Sequence, residues 1–118
     1  MALTTAALNA AANGVTAVAA FMSLHSAAAG SGGANEHSTG GYTREAVTWN
    51  PASGAVASAS GSPVAAFSGP AGGTVAEVGL WSASSGGTFY GSDVPTGDLA
   101  FNAAGEYNVT AATITATP

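Results

Sequence analysis

The chain has 118 residues, of which 47% are hydrophobic and only 6% charged, and it contains no cysteine. It has one basic residue (Lys or Arg) and six acidic residues (Asp or Glu), which gives a net charge of −5. One positive side chain cannot neutralise a run of phosphates or an anionic lipid surface, so we expect no nucleic-acid and no membrane partner. The absence of cysteine excludes disulfides and cysteine-ligated zinc. An average domain is about 25% charged, so this surface suits a subunit covered by copies of itself or by a larger assembly.

The N-terminal segment is predicted to be a helix over residues 1–14. It is rich in alanine, a threonine can cap its start, and Asn13-Gly14 offers a left-handed stop. Its only large side chains that could anchor it are Leu3 and Leu8. A helix this short needs tertiary contacts to persist, so we expect it to dock, and both leucines are candidate interface residues.

In residues 16–25, apolar side chains stand at both even- and odd-numbered positions, and so on both faces of an extended strand. This pattern is typical of a strand buried on both sides. The most apolar stretch, residues 15–24, is too short for a transmembrane helix, which needs about 20 residues. No Lys or Arg precedes it, so a secretory signal is not expected either.

Residues 27–41 are predicted to form a long loop of small and polar residues that contains the pairs Gly32-Gly33 and Gly40-Gly41. Connections in compact domains usually have about 4–6 residues. A loop of this length is therefore expected to be functional or to lie in an interface.

The rest of the chain reads as short strands separated by glycine and proline turns. They are predicted over residues 42–50, 55–60, 64–67, 74–82, 88–92 and 106–115. This pattern indicates a mainly β fold, an antiparallel β-sandwich or jelly-roll-like structure, formed by residues 1–118 as one domain with a short N-terminal helix.

Residues able to perform chemistry are few. His25 and His37, with Glu36 beside the second, match no compact metal-ligand spacing. No Gly-x-Ser-x-Gly motif is followed by an aspartate and a histidine in order, and no pattern pairs two carboxylates for sugar cleavage. We therefore expect no catalytic residue, no cofactor and no metal, and a protein that is not an enzyme.

Three aromatic residues are candidates for stacking on a sugar ligand: Trp49, Trp81 and Tyr90. Large side chains are scarce in this chain, so the core is the competing location for the two tryptophans. Exposed aromatic side chains would favour a carbohydrate-binding module, and buried ones would argue against it.

Arg44 is the only basic side chain, and it is followed by Glu45. A bidentate pair with a carboxylate could fix strand register or join a neighbouring subunit, so Arg44 and Glu45 are further candidate interface residues. The alternative is a solvent-facing arginine that adds solubility.

Several blocks of the sequence occur in an order that resembles small virion proteins of tailed bacteriophages infecting actinobacteria. The blocks are residues 23–26, 33–36, 40–49, 70–75, 78–82 and 86–91. Proteins of this type are described as minor tail, tail fibre or head-decorating proteins. After Ser26 the chain departs from their pattern, with alanines where an Asp-Pro-Gly is common.

The resemblance implies a non-enzymatic structural role, and the low charge points the same way. We expect an accessory component on the exterior of the virion, a capsid decoration or a minor tail or fibre protein. Its partners would be other copies of itself and other virion proteins, through β-rich contacts. The alternative function is a tail module that binds host cell-surface carbohydrate.

Overall fold

The computed structural model describes residues 1–118, which form one helix and nine strands. Their bounds are α1 (Thr5–Thr16), β1 (Phe21–His25), β2 (Glu45–Ala46), β3 (Thr48–Trp49), β4 (Val56–Ser60), β5 (Ala65–Ser68), β6 (Glu77–Trp81), β7 (Phe89–Asp93), β8 (Glu106–Val109) and β9 (Thr113–Thr115). The mainly β fold with one short helix is confirmed. That helix is neither long nor apolar enough to cross a membrane.

Helix α1 begins after Thr4, whose side-chain oxygen accepts a hydrogen bond from the Ala7 amide at 3.2 Å. The expected stop at Gly14 is wrong, because the helix continues through that residue to Thr16. Glycine permits a left-handed stop but does not impose one, and the helical hydrogen bonds continue past it, with the Ala17 amide donating to the Asn13 carbonyl at 3.0 Å.

Two asparagine side chains of α1, one turn apart, accept hydrogen bonds from outside the helix. The side-chain oxygen of Asn9 accepts from the Ala55 amide at 2.8 Å, and that of Asn13 accepts from the Ala52 amide at 2.8 Å. Both amides belong to the segment that leads into β4, so these bonds attach the helix to the β domain. They satisfy backbone donors that have no strand partner.

The largest sheet has four strands in the order β2-β1-β6-β7, with every neighbouring pair antiparallel. Strand β1 lies inside it and is buried on both faces. Met22 and Leu24 are 0% exposed on one face, and Ser23 and His25 are 0% exposed on the other. The alternation that predicted a doubly buried strand is therefore observed, although the strand begins at Phe21, because α1 extends through Thr16 and residues 17–20 form the connection between them.

Two strands expected to be continuous are each divided between sheets. The segment predicted over 42–50 becomes β2, which pairs with β1, and β3, which pairs with β4. The segment predicted over 106–115 becomes β8, which pairs with β5, and β9, which pairs with β4. At the first break Val47 turns into the core, where it is 8% exposed. Such corners let one hydrophobic core be shared by several small sheets.

The core lies between the four-stranded sheet and the β5–β8 pair. Its buried members are Met22, Leu24, Val47, Val64, Ala65, Phe67, Val75, Phe101, Tyr107 and Val109. Only one face of β1 contributes to it. The other face lies under a loop and has a different chemistry.

Gly79 of β6 makes that second face possible. It pairs with Ser23 across the sheet, and a Cβ at this position would lie 2.6 Å from Ser23 Oγ and 2.8 Å from His25 Nε2. It would also lie 2.9 Å from a ring carbon of Phe89. The polar side chains of β1 therefore occupy the space that a side chain at position 79 would need.

We predict that Gly79→Ala lowers the free energy of unfolding by about 1–3 kcal/mol, because the surrounding side chains are buried and cannot withdraw. Gly14→Ala is the matched control: it lies inside α1 with nothing within 4 Å of a Cβ, and should raise that free energy by about 0.5–1 kcal/mol. Urea unfolding measures both. Equal effects of the two substitutions would contradict this account.

Candidate functional site

The second face of the central sheet is covered by residues 26–44, called here the cover loop. It contains no strand, only an isolated bridge between His25 and Glu36. Gly33 has a φ of +76°, and a Cβ on it would overlap the Trp81 indole. A glycine is required here both for the backbone conformation and for the close approach to the ring.

A chain of buried hydrogen bonds lies beneath the cover loop. Trp81 Nε1 donates to Ser23 Oγ at 2.9 Å, and Ser23 Oγ lies 2.7 Å from His25 Nε2. His25 Nδ1 lies 2.7 Å from the Ala34 carbonyl oxygen. Because a carbonyl only accepts, Nδ1 carries a proton, and in the neutral imidazole Nε2 then accepts from the serine hydroxyl. Ser23 and His25 are both 0% exposed, so this pair is closed to any substrate.

Arg44 fastens the cover loop to the β6–β7 connection. Its Nε and Nη2 donate to the two carboxylate oxygens of Glu36 at 2.9 and 3.0 Å. Its Nη1 donates to the carbonyls of Ala83 at 2.9 Å and Gly86 at 2.8 Å. The guanidinium also lies 3.7 Å from the centroid of the Trp81 ring. Its side chain is only 8% exposed, so this cation serves the fold and is not offered to solvent.

Glu36 joins this arginine to the core through Tyr42. The Tyr42 hydroxyl donates to Glu36 Oε2 at 2.8 Å and accepts from the Leu24 amide at 3.0 Å. Burial acts to raise the pKa of Glu36, but the hydrogen bonds from Arg44 and Tyr42 prevail and hold that pKa below its usual value. Burial raises the pKa of Tyr42, and the Glu36 carboxylate raises it further, so the hydroxyl remains a donor.

A second carboxylate holds the other end of the cover loop. Glu77 Oε1 accepts from the Ala29 amide at 2.9 Å and from the Ser92 hydroxyl at 2.8 Å. The bond from Ala29 is the main cause that lowers the pKa of Glu77, followed by that from Ser92. The cover loop is thus bound to β6 near its start and to the β6–β7 connection at its end.

An open groove of about 520 Å³ lies on the opposite side of the central sheet, between strands β7 and β9. Each of these strands ends its sheet and so has one unpaired edge. Gly91 is paired with Leu80, and because glycine has no side chain it leaves Leu80 uncovered. A β-bulge lies beside this pair. The groove is lined by Val15, Met22, Trp49, Val78, Leu80, residues 90–96 and residues 111–114.

The three candidate stacking residues are divided by the structure. Trp49 and Tyr90 both line the groove, one from the β3–β4–β9 sheet and the other from β7. Tyr90 is 42% exposed, whereas Trp81 is 8% exposed and covered by the Arg44 guanidinium. The groove therefore brings together two of the three aromatic residues, and Trp81 is not free to stack on a ligand.

The candidate interface residues also differ in environment. Leu3 is 48% exposed, whereas Leu8 is 8% exposed and packs inside the domain. Glu45 is partly exposed in the edge strand β2, and Arg44 is enclosed. Leu3 and Glu45 can therefore contact another chain, while Leu8 and Arg44 act within this one.

The roles of Tyr42 and of the rim of the groove, residues 91–96, were not evident from the sequence. A signal existed for the rim: Gly91 inside a predicted strand and Pro95 just after it mark a bulge or an interrupted edge. For Tyr42 there was none, because its role depends on Glu36 and on the Leu24 amide being adjacent in space. No cluster of three or more His, Cys, Asp or Glu side chains able to hold a metal is present.

We predict that Glu36→Gln lowers the free energy of unfolding by about 2 kcal/mol at pH 7, because it leaves an enclosed guanidinium without its counter-charge. The folded pKa of Glu36 is below its ordinary value of 4.5, so its contribution is complete above that pH. It is lost as the pH falls through the lower folded value. Urea unfolding across this range measures the difference between the two proteins.

Glu45→Gln is the matched control, since it makes the same change beside Arg44 at a carboxylate outside the ion pair. It should cost less than about 0.5 kcal/mol. A Glu36→Gln deficit that persists or grows in acid would contradict the assignment.

The chain is similar to a known family over nearly its whole length. A family model described as podophage GP4 fiber I protein gp80 matches residues 1–117. The matched region includes the helix, all nine strands, the cover loop and the groove. No curated protein and no solved structure is significantly similar to the chain.

Proposed function

Because the chain belongs to the podophage GP4 fiber I protein gp80 family and is thus a virion protein, we propose that it is a subunit of a tail fibre on the outside of the particle. The observation that carries the proposal is the family match over residues 1–117. This match favours a fibre over a head decoration, the other exterior role expected from the sequence.

The surface of the chain supports assembly with other proteins. Only 22 of its 118 residues are buried, so much of its apolar content remains outside. The exposed large hydrophobic residues are Met1, Leu3, Val18, Tyr90, Val94 and Leu99. Few charges would have to be desolvated when such a surface is covered. Copies of this chain and other virion proteins are the proposed partners.

A non-enzymatic role is part of the proposal. The serine and histidine whose side chains are hydrogen-bonded to each other, Ser23 and His25, are enclosed and connect the sheet to the cover loop. Their geometry explains how the loop is held, and no reacting group could approach them without unfolding the cover loop.

Labelling and counting the chain in purified virions tests the fibre assignment. A gold-conjugated antibody viewed by electron microscopy should mark the tail, and quantitative mass spectrometry should give a copy number proportional to the number of fibres. Label distributed over the capsid, with a copy number that follows the capsid subunits, would overturn the assignment in favour of a decoration protein.

We predict that Leu3→Asp reduces incorporation into virions by about tenfold, because a buried carboxylate would replace an apolar contact. The isolated protein should lose less than about 0.5 kcal/mol of unfolding free energy, since Leu3 is half exposed. Incorporation is measured in particles assembled from the variant gene.

Leu8→Ala is the control that distinguishes the loss of an assembly contact from the loss of folding stability, because this leucine is 8% exposed and faces inward. It should lose about 2–3 kcal/mol of unfolding free energy, while the molecules that remain folded are incorporated normally. Wild-type incorporation of Leu3→Asp would show that Leu3 is not an assembly contact.

A further inference from the structure

We propose that the groove between β7 and β9 binds an oligosaccharide without acidic groups, either neutral or amino-substituted. Tyr90 and Trp49 would stack on the sugar rings, and Asp93 would accept hydrogen bonds from hydroxyl or amino groups. This goes beyond the structural role, and it does not depend on whether the chain belongs to a fibre or to another part of the virion.

Two aromatic side chains line the groove from different sheets. Tyr90 is 42% exposed on a strand that ends the sheet, so its ring is available to a ligand. Trp49 is half-buried and its Nε1 donates to the Ala19 carbonyl at 2.9 Å, which fixes the indole. The flat C–H faces of sugar rings pack well on such rings, and fixed rings lose little entropy on binding.

Polar groups lie where they can select a sugar. Asp93 faces the same side of the sheet as Val78, with which it is paired, and so points to the groove. Its Oδ1 accepts from the Val94 amide at 2.8 Å, which orients the carboxylate and leaves Oδ2 for a ligand. The exposed residues Thr96 and Thr113 add hydroxyls to the rim. The volume of about 520 Å³ is within the range of small-molecule sites.

Charge decides the class of saccharide. No lysine is present and the one arginine is enclosed, so no cationic side chain faces the groove. Acidic sugars and phosphorylated glycans would meet the Asp93 carboxylate without any compensating charge. Neutral sugars meet no such penalty, and an amino group would be attracted.

A polypeptide strand is the competing occupant, since both β7 and β9 have an unpaired edge. The β7 edge is poorly suited to strand addition, however. It carries a bulge, Gly91 has a φ of +142°, and Pro95 lies two residues beyond the strand end. Bulges and prolines are features that prevent edge pairing, whereas they do not hinder a ligand held by side chains.

Amide chemical shifts of the isotope-labelled protein test the proposal. The neutral probes are hexasaccharides of β-1,4-glucose, α-1,4-glucose and N-acetylglucosamine; a glucosamine hexamer is the amino probe and hexagalacturonate the acidic one. At least one neutral or amino probe should shift the amides of Tyr90, Thr96 and Thr113 at up to about 10 mM, and hexagalacturonate should not.

Variants identify the contacts. Tyr90→Ala should weaken binding about tenfold. Asp93→Asn should weaken the glucosamine hexamer more than a neutral probe, whereas Asp98→Asn, the same change at an exposed aspartate outside the groove, should leave both unchanged. Unchanged melting temperatures of the variants exclude unfolding as the cause.

Any one of four results would overturn the proposal. One is that no neutral or amino probe shifts the groove amides. Another is that hexagalacturonate binds as tightly as they do, or that Asp98→Asn weakens binding as much as Asp93→Asn. The last is that groove amides shift only with rising protein concentration, which would identify the groove as a contact between copies of the chain.

Discussion

Arg44 connects three parts of the molecule at once, and the cover loop depends on it. Its guanidinium pairs with Glu36 of that loop, bonds two carbonyls of the β6–β7 connection and lies on the ring of Trp81. The loop has only one isolated bridge of its own, so these bonds replace a strand ladder. Because the side chain is 8% exposed, water competes poorly for the donors, and a missing acceptor would leave a costly unpaired charge.

The enclosure of Arg44 also determines the electrostatics of the outer surface. The chain has no lysine, so the ionised side chains that remain outside are carboxylates. They are few and scattered, and most of the surface is neutral and formed by small residues. A surface of this kind can be covered by another protein with little cost of desolvation, which suits a subunit of a virion fibre. It also repels acidic ligands and leaves neutral ones unaffected.

The central sheet separates these two aspects of the protein. One face of β1 presents Met22 and Leu24 to the core, and on the same side the sheet continues into the open groove. The other face presents Ser23 and His25 to the cover loop, where every buried side-chain nitrogen and oxygen has a hydrogen-bond partner. Alternation along a single strand therefore assigns one side of the sheet to packing and the other to fixing a long irregular loop.

Local patterns in the sequence determined the fold class, the helix and most strands, because the turn residues and the period-two alternation act over a few neighbours. The alternation in β1 also indicated burial on both of its faces. The strand breaks at Val47 and after Val109 were not predictable, since they occur where the chain changes sheets. Likewise, the sequence singled out Arg44 as the lone cation, but several carboxylates were equally available to it. Only the tertiary structure selected Glu36, enclosed Trp81 and brought Trp49 and Tyr90 to one groove, because those choices depend on contacts between residues far apart in the chain.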